Sequence, residues 1–200
     1  MKTMKSLPIL AIVLALALVS CSKDDTTTLN SGSDEQELMT AEKTVQIIDS
    51  LPFVQTDSAE ASFLQFLRSE EYLAHDVYAL FSEKYGLVIF GNIMKSELRH
   101  TTAIQRLLEK YSIFDPESEH VAGVYANPEL QELYDQLVAS GSASSLKALE
   151  AGKAIEITDI GDIDLFIPQT DKEDILFVLN NLRAGSERHL KAFNAWLAAN

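Results

Sequence analysis

Beyond residue 58, apolar side chains recur at spacings of three, four and seven over four long stretches, and strand signals are scarce. That period points to an all-α fold. Phe63, Leu64, Phe66, Leu67, Leu73, Ala74, Val77, Tyr78 and Phe81 make a wide stripe on a helix predicted over about 59–85, with Gly86 as its stop. Ile93, Leu98, Ile104, Leu107, Leu108 and Tyr111 mark a second helix, beginning near 87 or 92 and ending near 112. Leu146, Leu149, Ile155, Ile160, Ile163 and Phe166 mark a third over about 142–167, limited by Pro168. The spacing of Thr170 and Glu173 predicts a capping box for a fourth, which carries Ile175, Leu179, Leu182, His189, Phe193 and Trp196.

Short turns pair the first helix with the second and the third with the fourth. About 30 residues separate the two hairpins. Within them Asn127-Pro128-Glu129, a cap followed by proline at the first helical position, starts a short extra helix to about 139. A helix of about 26 residues rises roughly 39 Å, so a passage of this length can run the full height of a bundle.

Acids interrupt the apolar stripes, where an isolated carboxylate costs several kcal/mol even after relaxation. Glu70 and Glu71 border the first stripe; Glu97 and His100 lie three apart on the second helix, and Glu156 and Asp159 three apart on the third. His189 sits between Leu182 and Phe193 on the fourth. Groups at one height on an antiparallel hairpin lie symmetrically about its turn. Midway between Glu71 and Glu97 is position 84, and between Glu71 and His100 position 85.5, beside Gly86. Midway between Glu156 and His189 is 172.5, close to the turn at 168–173. Glu71, Glu97, Glu156 and Asp159 bring four negative charges, which two divalent cations would neutralise, with imidazole nitrogens as neutral donors. Such ligands suit iron or manganese and are compatible with zinc, and no thiolate on these helices favours a softer metal.

Glu71-x-x-Ala74-x-x-Val77-Tyr78, Glu97-x-x-His100 and the helix order resemble the ferritin-like superfamily. More closely, the block from Glu70 to Tyr78, Phe90-Gly91-Asn92-Ile93, Ile155-Glu156 with Asp159-Ile160, and Gly185-Ser186 with His189-Leu190 resemble a bacterial ferritin-like family known as domain of unknown function 2202. The likeness runs over about 61–197. It implies a ferritin-like four-helix bundle with Glu71, Glu97, His100, Glu156 and His189 as metal ligands and Asp159 as a sixth. Ferritin and rubrerythrin patterns place a glutamate three residues before the last histidine. Here that residue is Ser186, and Glu187 points about 100° away. The departure argues against a ferritin-type ferroxidase, and a single histidine on the last helix is nearer the manganese catalase arrangement, of which Asp159 is not part. Glu70, Asp76, Tyr78 and Ser186 are expected beside the ligands as partners that orient them. His75 and His120 lack an acid at ligand spacing on a buried stripe and read as surface residues. Phe193 and Trp196 read as core, implying neither haem nor flavin.

The first twenty residues read as a signal segment, outside the fold. Lys2 and Lys5 precede a 13-residue, almost wholly apolar run at 7–19, too short to span a bilayer. The run ends in Leu18-Val19-Ser20-Cys21, which resembles the lipobox of bacterial lipoproteins and implies lipid attachment at Cys21, the only cysteine of the 200-residue chain. A disulfide framework is thereby excluded. Ser22-Lys23-Asp24-Asp25 resembles an acidic export tag and suggests the outer membrane rather than the inner. Residues 21–58 are expected to be a lipidated tether and 59–200 the bundle domain. The formal charge of -14 becomes -16 once Lys2 and Lys5 are removed, which disfavours nucleic acid as a partner. The expectation is therefore a lipid-anchored envelope protein whose two-metal centre performs redox chemistry on peroxide or dioxygen. A hollow iron-storage shell does not suit a tethered chain, although smaller homo-oligomers stay open. The alternatives are a lipoprotein that holds metal without turnover, or a structural one whose acids pair with Arg99, Arg183 or Lys153.

Overall fold

Asp57 opens the first long helix with a reciprocal cap. Its Oδ1 accepts from the amides of Ala59 and Glu60 at 2.8 and 2.9 Å, while Glu60 Oε2 accepts from the Asp57 amide at 2.9 Å. At the other end Gly86 takes φ +65°, a left-handed conformation that glycine adopts without a Cβ clash, and its amide closes on Ser82 O. The next helix begins two residues later, so the pair must fold back as a hairpin.

The structure, a computed structural model, describes residues 40–199. The expected signal segment and Cys21 lie outside the described residues, as does half of the expected tether. The helices are α1 (Ala41–Ser50), α2 (Ser58–Tyr85), α3 (Val88–Lys110), α4 (Pro128–Gly141), α5 (Ser145–Phe166) and α6 (Glu173–Ala199). A 3-10 turn, Ile167–Gln169, links α5 to α6. Among the described residues extended pairing is limited to one bridge, Val121 with Val124, and no helix is long and apolar enough to cross a membrane.

Two antiparallel hairpins, α2 with α3 and α5 with α6, pack side by side, α2 against α5 and α3 against α6. Their turns lie at opposite ends. Glu60, at the start of α2, receives Thr170 Oγ1 at 2.7 Å and Lys172 Nζ at 2.8 Å from the α5–α6 turn. Thr170 therefore does not form the capping box expected with Glu173: its hydroxyl serves Glu60 and accepts only the Lys172 amide, at 3.3 Å.

Because the turns are opposed, the chain after α3 must travel the length of the bundle before α5 can begin, and it climbs along α2. Gln65 Nε2 donates to Phe114 O at 2.8 Å, Arg68 pairs with Asp115, Ser69 donates to Glu117 at 2.5 Å, and Tyr85 donates to Gly141 O at 2.7 Å. Midway, Asp76 Oδ2 accepts from Tyr125 Oη at 2.6 Å and the Gly123 amide at 2.8 Å, and contacts His120 Nε2 at 3.0 Å. Its other oxygen meets His75. Asp76 thus fastens the crossover and touches no proposed ligand. His120 is correspondingly not a surface residue, for it lies between Asp76 and Glu117 with its ring stacked on Tyr72 at 3.9 Å.

Part of the stretch expected as tether is ordered. Ile48 of α1 is fully buried, and Lys110 Nζ donates to Ile48 O and Leu51 O while pairing with the buried Asp174 at 2.6 Å. The apolar anchor Ile48, a lysine that satisfies the helix's last carbonyls and the Arg106–Asp49 pair at 2.6 Å hold α1 against α3 and α6. Leu98 and Leu146, expected on inward stripes, are exposed.

The core falls into two clusters. One contains Leu73 to Phe81, Ile89 to Ile93, Ile155 and Phe193; the other contains Leu64, Leu67, Ala103 to Leu108, Ile163, Phe166 and Ile175 to Leu182. Every long helix changes from one cluster to the other at the same level, and polar residues fill that level.

Replacing Asp76 with alanine leaves the Tyr125 hydroxyl and the Gly123 amide without an acceptor, so Asp76→Ala should lower stability in urea by about 3 kcal/mol. A loss below about 1 kcal/mol would show that the crossover is fastened elsewhere.

Candidate metal centre

Between the two apolar clusters, α2 contributes Glu70 and Glu71, α3 Glu97 and His100, α5 Glu156 and Asp159, and α6 Ser186 and His189. All eight are buried. His100 Nδ1 lies 2.7 Å from Glu97 Oε2 and 3.1 Å from Glu71 Oε2. His189 Nδ1 lies 2.9 Å from the other Glu97 oxygen, without the alignment of a hydrogen bond, and 3.5 Å from Glu156 Oε2. Glu97 thus stands between two groups, Glu71–Glu97–His100 and Glu97–Glu156–His189. In each, one donor atom per residue lies within 4.8 Å of the others, close enough to share an ion. The two imidazoles face each other with ring centroids 5.7 Å apart.

Other residues fix these groups. Tyr78 donates to Glu156 Oε1 at 2.6 Å and Ser186 donates to Asp159 Oδ2. Gly185 is required by contact: a Cβ there would stand 2.6 Å from His100 Nε2. Asp159 belongs to neither three-residue group, although its Oδ1 is buried beside them without a partner. Glu71 Oε1, Glu97 Oε1 and His189 Nδ1 are likewise buried and unsatisfied. Buried polar atoms normally have partners, so several orphaned atoms at one level argue for a group that would complete them.

Charge gives the same answer. Burial, then the field of Asp159, pushes the Glu71 carboxyl well above the usual carboxylate range. Burial and the charge of Glu97 push Glu156 up to about 7. Burial raises Asp159 to about 6 despite the Ser186 hydrogen bond. Glu97 is the exception: burial works to raise it, but the two imidazoles outweigh burial and hold it below the ordinary range. Burial disfavours the charged imidazoles, yet Glu71 and Glu97 lift His100 well above its usual value, and Glu97 lifts His189 to about 9. Burial and the Glu156 charge raise Tyr78 well above the phenol range, so it remains a donor. Bound protons thus offset part of the negative charge buried at this level.

The structure brings together Glu71, Glu97, His100, Glu156 and His189, with Asp159 and the orienting hydroxyls of Tyr78 and Ser186 alongside. Asp76 is five residues from Glu71, about 140° around the helix, and lies elsewhere. Glu187 pairs with Arg183 at the surface, away from the centre. Arg183 also takes Asp164, and Arg99 is exposed, so neither arginine neutralises the buried acids. The role of Gly185 and the half-buried Asp162, whose charge acts on Glu70, escaped the sequence reading. A glycine three residues before Arg188 and one before Ser186 was the available signal for the first.

Three comparisons with known proteins place the chain in a family. Residues 60–200 match the family described as an uncharacterized protein domain, DUF2202. The chain is 44% identical over 149 residues to the uncharacterized protein MJ0754 of Methanocaldococcus jannaschii, covering 74% of this chain and 80% of that one. The crystal structure of this hypothetical protein superposes with a TM-score of 0.73, covering 75% of this chain and 86% of the crystallised one.

The pKa directions fix how metal-free protein responds to pH. His189 is raised, so its contribution is complete below its unfolded value and lost as pH climbs through about 9. Glu156 and Asp159 are also raised; their protonated forms stabilise in acid and that contribution is lost through about 7 and 6. Chelated protein should therefore show a Tm that falls between about pH 5 and 9, whereas excess Mn(II) should stabilise more as pH rises, since ligands must lose protons to bind. Glu156→Gln should flatten the slope near neutrality, which general repulsion among surface acids would not. A chelated Tm that stays level or rises over that range contradicts this assignment.

Proposed function

The chain belongs to the DUF2202 family, whose name carries no reaction, and from that premise we propose that it is a ferritin-like protein whose four-helix bundle holds two divalent metal ions, iron or manganese, for redox chemistry on peroxide or dioxygen. The observation that carries this reading is Glu97, which turns one carboxylate oxygen towards each of two ligand groups. One ion would be held by Glu71, Glu97 and His100, the other by Glu97, Glu156 and His189, with Asp159 adjacent. The residues fit such a pair: four carboxylates balance two divalent charges, two imidazoles supply neutral donors, and the orphaned oxygens gain partners. Zinc is compatible with the same donors.

Two redox ions held there would supply two electrons together, enough to reduce one peroxide to water without release of a radical, and a second peroxide, oxidised to dioxygen, would return those electrons. The chain's own residues govern the rest. Tyr78 holds Glu156 in orientation and Ser186 holds Asp159, as hydrogen-bonded partners of metal-binding carboxylates commonly do. The apolar clusters above and below restrict water and lower the local dielectric, so that charge at the centre is felt strongly. Ser186 leaves the last helix one carboxylate short of a ferritin-type ferroxidase, which favours peroxide as the substrate. The signal-like run and Cys21 support attachment by lipid to the cell envelope, the outer membrane in preference to the inner, with the membrane as the protein's partner.

Purified without chelators, the chain should carry about two ions and consume hydrogen peroxide. Glu97→Gln should bind fewer than one ion and lose the activity, while Tyr78→Phe should weaken metal affinity about tenfold. Two bound ions with no peroxide turnover would assign a holding role. Absence of metal from the wild-type chain, even after loading with Fe(II) or Mn(II), would end the proposal.

A further inference from the structure

Glu70 is 4% exposed, and its Oε2 has no hydrogen-bond donor among the described residues. The charged groups acting on it most strongly are Asp159, Asp162 and Glu71, all acids. It belongs to neither ligand group of the centre. Its neighbours nevertheless form a graded series: Asp159 is 6% exposed with an orphaned Oδ1 beside the centre, Glu70 follows, and Asp162 stands half-buried on α5, one of the acids whose charge acts on Glu70. The series lies in the seam between α2 and α5. The stacked rings of Phe63 and Phe166, 3.8 Å apart, close that seam towards one end, and α4, packed on both helices, covers it towards the other. On the opposite seam, between α3 and α6, Gly185 lies against His100 near the guanidinium of the exposed Arg188.

A buried acid with an unpaired oxygen among other acids is costly unless a cation visits it. We propose that Asp162 and Glu70 form a transit site for hard divalent cations, handing them from solvent through Asp159 to the two-metal centre along the α2–α5 seam. Two carboxylates suffice to attract and briefly hold such an ion, while the absence of a third close donor leaves it free to move on. The Arg188 guanidinium on the opposite seam repels cations, which leaves the acidic seam as the favoured way in. This inference rests on the two-metal reading but adds a kinetic role that the reading does not require.

Metal-free full-length protein is mixed with Co(II) in a stopped-flow instrument, following the absorption that develops as the ion acquires nitrogen and carboxylate donors. Asp162→Asn should slow its appearance while the final spectrum and stoichiometry match wild type, and combining it with Glu70→Gln should slow it by about tenfold or more. Asp162→Lys should be slower still, Asp162→Glu should restore the rate, and added salt should slow wild type far more than the double variant. Asp162 is half-buried, so its variants keep the test available if Glu70→Gln folds poorly. Uptake within about twofold of wild type in every variant overturns the transit role. A changed final spectrum also overturns it, since Glu70 would then be a ligand. Wild-type protein that takes up no Co(II) refutes the two-metal reading and this inference falls with it, whereas normal wild-type uptake with unaffected variants refutes this inference alone.

Discussion

Several carboxylates buried at one level of a helical bundle need positive charge nearby, and the fold is arranged around that need. Two imidazoles supply part of it and hold Glu97 ionised, while Glu71, Glu156 and Asp159 are forced towards their protonated forms. Such a layer offers little to the stability of the bare chain, because desolvating each charge outweighs what imperfect pairing returns. Its presence on four helices at once would suit a binding site for cations. A protein selected only for stability would fill the same level with leucine.

Stability comes from the layers on either side. Tyr78, Phe90 and Phe193 pack together above the acids, and Leu64, Leu107, Ile163 and Leu179 below. The crossover, tied to α2 from Phe114 to Gly141, allows both hairpins to present their acids inward while their turns point to opposite ends. Asp76 matters in that role. Removing it would disturb the centre only by loosening the strap beside α2. Gly185 matters differently, because a side chain there would crowd the His100 ring that reaches the acids.

Much of this was legible in the sequence because helical geometry is rigid. Glu97 and His100 share a face whatever surrounds them, and Gly86 fixes the register that sets Glu71 beside them. The second hairpin was less sharply defined, since Pro168 lies within a 3-10 turn that displaces the start of α6 to Glu173. Asp76 was misassigned by nearness in sequence, although 100° per residue already places it away from Glu71. His120 and α1 were beyond reach for another reason. Each is ordered by residues far along the chain, His120 by Asp76 and Tyr72, α1 by Lys110, and no local period reports such contacts.

The central claim concerns where metal sits relative to Glu97, and anomalous X-ray diffraction tests it directly. Crystals of the protein loaded with Fe(II) or Mn(II), measured at that metal's absorption edge, should show two peaks flanking the Glu97 carboxylate, one beside His100 and one beside His189. Peaks confined to surface carboxylates, or a buried layer whose acids pair only with protons and imidazoles at full metal loading, would contradict the account.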